Sequence, residues 1–509
     1  MKILNLAKKI LIFKLLIFTA CSARINIKKS TSKIKVRNGA GFVVEGQISG
    51  CAGTIEAEEG ATVSGSSIIF DDGIYDDAGN KVKISGTLDL SDDAEITLED
   101  GKTFKGKRGS FFGRLKLKGA ANRLEGFLMS TQEVELQDSQ STVTCALQGR
   151  VPCNMVLNGG ELLLEEDLHF VDDMFFTGSG IIKLNRRKLR LGGKDITCNS
   201  ALYFDEACDI ELNSNLHLSE TWTFSGESVL GGNGNFLYLD DGGEIVVEQG
   251  SSLLLHNVTI RNISGNNIRC LDNNATLSFH NVTWIQDGNY SFTTGSLDVI
   301  ERFVLRGDSV FAYQSTQTSN ISSYGKVVFD RGMTFSFDPI CSGMTVEQSE
   351  QTRNLLSFED STSILELKGA TLHVTSTSMK LTKGTFRIKD RSYIVSELAD
   401  GFHKEEGLIL GDNNSSYDVK FEVGAGSILE VVSGALSYKN MLSSSCEMLN
   451  DRSIICVDSG AKLKLHQTLD VGEGLTILKA GSRLARVDGK SLLGPLNIEG
   501  AIWYEKCYN

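Results

Sequence analysis

The amino-acid sequence predicts an all-β chain, a parallel β-helix solenoid with rungs of roughly 22–24 residues, and three observations carry that prediction. A phrase occurs twice: Leu253, Leu255, Val258 and Ile260 are answered 24 residues later by Leu277, Phe279, Val282 and Trp284. Weaker copies of the same four-position pattern begin at Ile96, Leu162, Ile210, Leu365 and Leu429, at separations near multiples of 22. Finally, 52 Gly stand against only 3 Pro, so turns are made without removing the backbone N–H groups that a continuous sheet needs.

Within each copy the apolar residues fall at i, i+2, i+5 and i+7. Side chains alternate across a strand, so i and i+2 face one way, and reaching i+5 on the same side requires a corner. His256-Asn257 and His280-Asn281 supply it, because Asn tolerates the left-handed backbone that bends a strand. The step from Leu429 to Leu463 is 34 residues and breaks the period, which predicts an excursion near 440–455. Some 19 or 20 rungs, spaced by about 4.8 Å, make a rod roughly 90 Å long.

The N-terminus follows another logic. Residues 1–23 read as a signal peptide: Lys2, Lys8 and Lys9 precede the largely apolar stretch Ile10 to Phe18, with Lys14 inside it, and small residues follow at Cys21-Ser22-Ala23. Phe18-Thr19-Ala20-Cys21 also resembles a bacterial lipobox, which makes Cys21 a lipidation candidate. Residues 24–37 form a basic tether with six cations and no acid, 38–495 the β-helix, and 496–509 a C-terminal cap. The remaining chain has no run of 18 apolar residues, so no helix spanning a membrane is expected. The leader predicts export, to the cell surface or medium.

Charge narrows the partners. The net charge of −13 becomes −17 without residues 1–23 and −23 without the tether as well. An acidic rod is a poor nucleic-acid binder, since phosphate recognition needs clustered Lys and Arg. A surface protein or a polysaccharide is the expected partner.

No pattern specifies a catalytic site, a cofactor or a metal centre. The seven His are dispersed, and His256, His280 and His466 sit at corners expected to face solvent. The doublets Asp71-Asp72, Asp76-Asp77, Asp92-Asp93, Asp172-Asp173 and Asp240-Asp241 adjoin turn formers, where Asp bonds its own backbone. There is no nucleophile elbow, phosphate-binding loop, His-Glu-x-x-His or calcium nonapeptide. Eight Asn-x-Ser/Thr sequons, at Asn257, Asn262, Asn274, Asn281, Asn289, Asn320, Asn413 and Asn414, read as turn asparagines. Among the eleven Cys, the pairs Cys446/Cys456, Cys145/Cys153 and Cys198/Cys208 are close enough for disulfides in an exported protein, the first being favoured. Their alternation with apolar neighbours equally suits free thiols in a core.

Glycine-led segments such as Gly178-Ser179-Gly180-Ile181-Ile182 and Gly232-Asn233-Gly234-Asn235-Phe236, with the two His-Asn-Val-Thr turns, resemble the right-handed parallel β-helix of the pectin-lyase-like superfamily. More narrowly, the chain is similar to repetitive exported proteins of intracellular bacteria and to passenger domains of bacterial surface proteins. The resemblance covers roughly residues 40–495 and implies either a non-enzymatic adhesion or host-interaction scaffold or, as the alternative, a polysaccharide lyase or glycoside hydrolase. Polygalacturonases of that superfamily carry Asn-x-Asp, Asp-Asp, Gly-His-Gly and Arg-Ile-Lys on successive rungs. Here Arg387-Ile388-Lys389 stands without any Gly-His-Gly. Rung-like sequence continues to Leu496, leaving no place for the membrane barrel of an autotransporter within the chain, so self-secretion is not implied.

Overall fold

A computed structural model describes residues 112–126, 128, 131–339, 351–397, 407–413 and 418–506, with short strands between 25 and 106. The chain is all-β, its parallel strands stacked as a β-solenoid of about 16 turns, and only 1% is helical. It divides into two compact units, Met1–Gly192 and Gly193–Asn509. The signal-peptide residues and Cys21 lie outside the described residues, as do the doublets at 71–72, 76–77 and 92–93.

In the first unit, seven strands from Gly41–Val44 to Phe176–Thr177 form one parallel sheet, each registering with the strand one turn away. A second column runs Thr103–Gly106, Asn122–Gly126, Thr142–Leu147, Glu161–Leu164. Strand Lys33–Val36, within the basic N-terminal segment, pairs in parallel with Thr54–Ala57, so stacking reaches back into that segment. Inward positions of the well-described turns make apolar ladders: Leu124, Cys145 and Leu164 are in register and each is buried.

In the second unit the repeated phrase stacks as its spacing predicts. Leu253 lies beside Leu277, and Leu255 beside Phe279, all four buried. Asn257 and Asn281 adopt φ of 48° and 63°, the left-handed corners expected of them. After the corner, Leu237, Ile260, Trp284, Leu305 and Phe329 continue one interior column. Phe279 and Phe303 stack at 3.9 Å with rings 3° from parallel, and Trp284 meets both edge-on. Each buried aromatic of this kind removes a large apolar area from water and packs the next turn in place.

Strand Val282–Phe292 changes the cross-section. Its first part pairs with Arg302–Arg306 and its last part with Val310–Tyr313, so from here two adjacent columns are built around a corner. One runs through Lys326–Phe329, Ile364–Lys368, Thr385–Lys389, Lys420–Val423 and Cys446–Met448. The other runs through Thr334–Phe337, Thr371–Val374, Arg391–Ser396, Ile428–Val431, Ile454–Val457 and Leu475–Lys479.

The break in period between Leu429 and Leu463 has a different origin from a simple insert. Leu429 registers with Ile455, whereas Leu463 registers with Leu436, so the two belong to different columns. The pattern of two strands around a corner is the same at every corner, and spacing alone does not say which one it marks. The segment still leaves the sheets briefly: Ser443–Ser445 forms a 3-10 turn, and the Asp418 carboxylate accepts from the Met441 and Leu442 amides at 2.8 Å. Leu496–Glu499 and Trp503–Lys506 register on Leu475–Lys479 and Arg483–Arg486 as further strands of the stack.

Candidate functional site

Most described strands before Arg302 alternate buried and half-buried residues, as Ser252–His256 and Thr276–His280 do. In the column that starts at Arg302–Arg306 outward positions are covered as well: Val304, Val328, Glu366 and Glu422 all point outward and are nonetheless buried. Parallel register sets Val304, Val328, Glu366, Arg387, Glu422 and Glu447 in one line, a turn apart from one another. The line therefore changes from apolar to charged, with Arg387 set between Glu366 and Glu422 and a further acid, Glu447, beyond them.

Glu366 is its centre. Its side chain is 3% exposed and meets Lys326 at 2.8 Å, Lys389 at 3.5 Å and Arg387 at 3.7 Å. Arg387 also pairs with Glu422, and Lys420 joins Glu422 to Glu447 at 2.6 and 2.5 Å. On the corner, Asp330 takes Lys368 at 3.2 Å and Arg306 at 3.3 Å. In the adjacent column Glu430 receives Arg391 at 2.9 Å and Lys479 at 3.0 Å, and Lys479 also meets Asp458 at 2.5 Å. An acid deep in a sheet face is tolerated only with such partners, and the long cationic stems add apolar cover.

These contacts settle the protonation states. Burial pushes the Glu422 carboxyl up, but Arg387 and Lys420 outweigh it and hold it below the usual carboxylate range. Glu430 behaves alike, with Lys479 and Arg391 overcoming burial. For Arg387, burial opposes charge but Glu422 and Glu366 raise it on balance, while Lys420 is raised by Glu422 and Glu447. All stay charged across the neutral range. Glu430, Cys456 and Asp458 converge closely enough to resemble a metal site, but Lys479 already bridges the two carboxylates.

The residues singled out by the sequence are dispersed elsewhere. The His256 and His280 rings lie 4.6 Å apart with their planes tilted by 51°, His280 Nε2 is 2.7 Å from Glu301, and His217 meets Asp240 at 3.0 Å while lying flat on Tyr238. His256 and His280 are half-buried beside their corners, whereas His466, expected to face solvent, is buried. His403 and Asn414 are outside the described residues. Asp172 has φ of 50° and Asp240 heads a turn closed by the Gly243 amide, so both described doublets are turn acids. Sequon asparagines serve the backbone in the same way: Asn257, Asn262, Asn281 and Asn413 have positive φ, and the Asn289 side chain accepts from the Val310 amide.

Cys145, Cys153, Cys198, Cys208, Cys270, Cys446 and Cys456 are free thiols. Burial pushes Cys145, Cys153 and Cys208 up to about 12, which keeps them as neutral core residues. Cys446 belongs to the column that carries Phe421 and Cys456 to the one that carries Glu430, so the pair favoured by spacing stands on two different columns.

Sequence reasoning passed over the ladder. Arg387-Ile388-Lys389 is its only trace in the sequence, and Glu366 and Glu422 stand 21 and 35 residues from Arg387, the register partner they share, separations that no local motif records. No known protein family, curated protein or solved structure matches this chain.

Proposed function

We propose that this chain is a non-enzymatic exported β-solenoid that offers a long stacked surface for adhesion or host contact. One observation supports it above others: where acids and bases of neighbouring turns do converge, they neutralise one another. Glycoside hydrolysis requires a carboxyl held protonated near neutral pH, and elimination requires a base whose pKa is brought down toward neutrality. Glu422 and Glu430 are shifted the opposite way, as are Arg387, Arg391 and Lys420. Export rests on the N-terminal leader, and the likeness to bacterial surface repeats on the rung pattern.

The convergence of Glu366, Arg387 and Glu422 from successive turns is what favours the second reading, a polysaccharide lyase or hydrolase. The two separate in one experiment. Purified full-length protein is incubated with neutral and acidic polysaccharides, with and without calcium, and unsaturated and reducing-end products are measured. The display reading expects none from any of them. Turnover abolished by Glu422→Gln would replace it with the enzymatic reading.

A further inference from the structure

The ladder is layered. Its acids lie beneath, with side-chain exposures of 3% for Glu366, 12% for Glu422 and 18% for Asp330. Its cations lie above: Arg306 is 52% exposed, Lys389 48%, Lys420 45% and Lys368 44%. Each acid is shared. Three cations meet Glu366, two meet Asp330 and two meet Glu422, and Arg302 on the same face makes no ion pair among the described residues. The margin carries Asp390 and Glu447, both 45% exposed and paired with Arg331 and Lys420, and the exposed acid Asp308. Solvent therefore meets mainly positive charge here, on a chain whose net charge is −13.

We propose that this face, from Arg302–Arg306 to Lys420–Val423, binds a linear polyanionic glycan lying along the stacking direction. The inference rests on the display reading above and names its ligand class. Three physical points carry it. Cations held by buried carboxylates are ordered before binding, so less side-chain freedom is lost on contact, and each keeps N–H donors for an incoming anion. Every turn of the face carries at least one cation, with turns about 4.8 Å apart: Arg302 and Lys326 along one edge of the strands, Lys368 and Lys389 along the other, then Lys420 on the first again, so an anionic chain lying along the stack meets a cation at each turn. The surrounding acidity repels a polyanion from other faces and orients it onto this one. Between the cations stand Val304, Val328, Ile364 and Thr385, none of them aromatic, so the face gives nucleic-acid bases nothing to stack on.

The test uses the full chain on immobilised heparin, polygalacturonate, neutral dextran and double-stranded DNA. At about 50 mM salt, heparin or polygalacturonate should bind and dextran should not, and raising salt to about 200 mM should weaken binding by about tenfold or more. Which of the two binds tells sulfate from carboxylate. Lys368→Glu with Lys389→Glu should weaken it by at least about tenfold, while Lys194→Glu, on an exposed turn elsewhere, should not. If reversal disturbs folding, Lys368→Gln with Lys389→Gln should shift affinity the same way by less. Equal binding by the double variant, equal binding to DNA, or no binding to either anionic glycan at low salt would overturn the assignment without touching the non-enzymatic reading. Cleavage of a bound glycan would uphold the face and overturn that reading instead.

Discussion

Replacing Glu366 by Gln keeps the side chain's shape and removes the charge on which Lys326, Arg387 and Lys389 converge. Removing one partner of a buried ion pair ordinarily costs about 3–5 kcal/mol, because the remaining charge is left uncompensated. Here the three cations are 26–48% exposed and recover part of their hydration, and Arg387 retains Glu422, which reduces the expected loss to about 1–3 kcal/mol. The residual term is mutual repulsion between cations. Salt shortens its range from about 10 Å at 0.1 M to about 3 Å at 1 M, so the variant should regain part of its stability in salt relative to the parent. Urea unfolding at both ionic strengths, with hydrogen exchange followed at Ile364–Lys368, measures this. A variant within about 0.5 kcal/mol of the parent and equally indifferent to salt would refute the view that Glu366 holds the ladder together.

Phe279→Ala should destabilise by about 3–5 kcal/mol, because the ring is fully buried and stacked on Phe303, and Phe279→Asp by more; an unchanged urea midpoint would contradict the register. Glu422 and Glu430 are depressed in the folded protein, so their contribution is complete above the ordinary carboxylate pKa near 4.5 and is lost as pH falls below it through their lowered values. Acid unfolding should accordingly lose part of its pH dependence in Glu422→Gln with Glu430→Gln, and identical profiles would count against it. Asn257→Gly should be nearly neutral and Asn257→Val costly by about 1–2 kcal/mol, since only a residue tolerant of φ near 48° fits that corner. Native protein should leave Cys145, Cys153 and Cys208 unalkylated until it is unfolded, and rapid native labelling would show that the thiols are not in the core.

What the sequence reveals and conceals here follows from the geometry of a coil. Inward positions are legible because every turn presents the same interior, so Leu253 with Leu277 or Leu255 with Phe279 repeat as a pattern. Corners are legible where Asn takes a left-handed conformation, as at Asn257 and Asn281. Outward positions follow no such rule. Val327 registers with Leu365 and Ser392 with Leu429 across turns much longer than 24 residues, the additional length falling in 340–350 and 398–406, outside the described residues. Those inserts scramble the spacing between Val328, Glu366, Arg387 and Glu422, so the ladder exists in register and not in sequence. His466 shows the same limit from the other side: an inward neighbour at a corner does not establish that the next residue is exposed.

Stacking of consecutive turns underlies every statement about the ladder, and one pair of outward residues reports it directly. Thr276 and Ser296 are register partners whose hydroxyl oxygens lie 3.0 Å apart. With both replaced by Cys, mild oxidation of the native protein followed by peptide mapping without reduction should find the two joined, because neighbouring strands bring such side chains within disulfide reach. Thr276→Cys combined with Leu254→Cys, one turn back and out of register, should remain unjoined. Joining of the second pair in place of the first would contradict the parallel register on which the fold and its charged face depend.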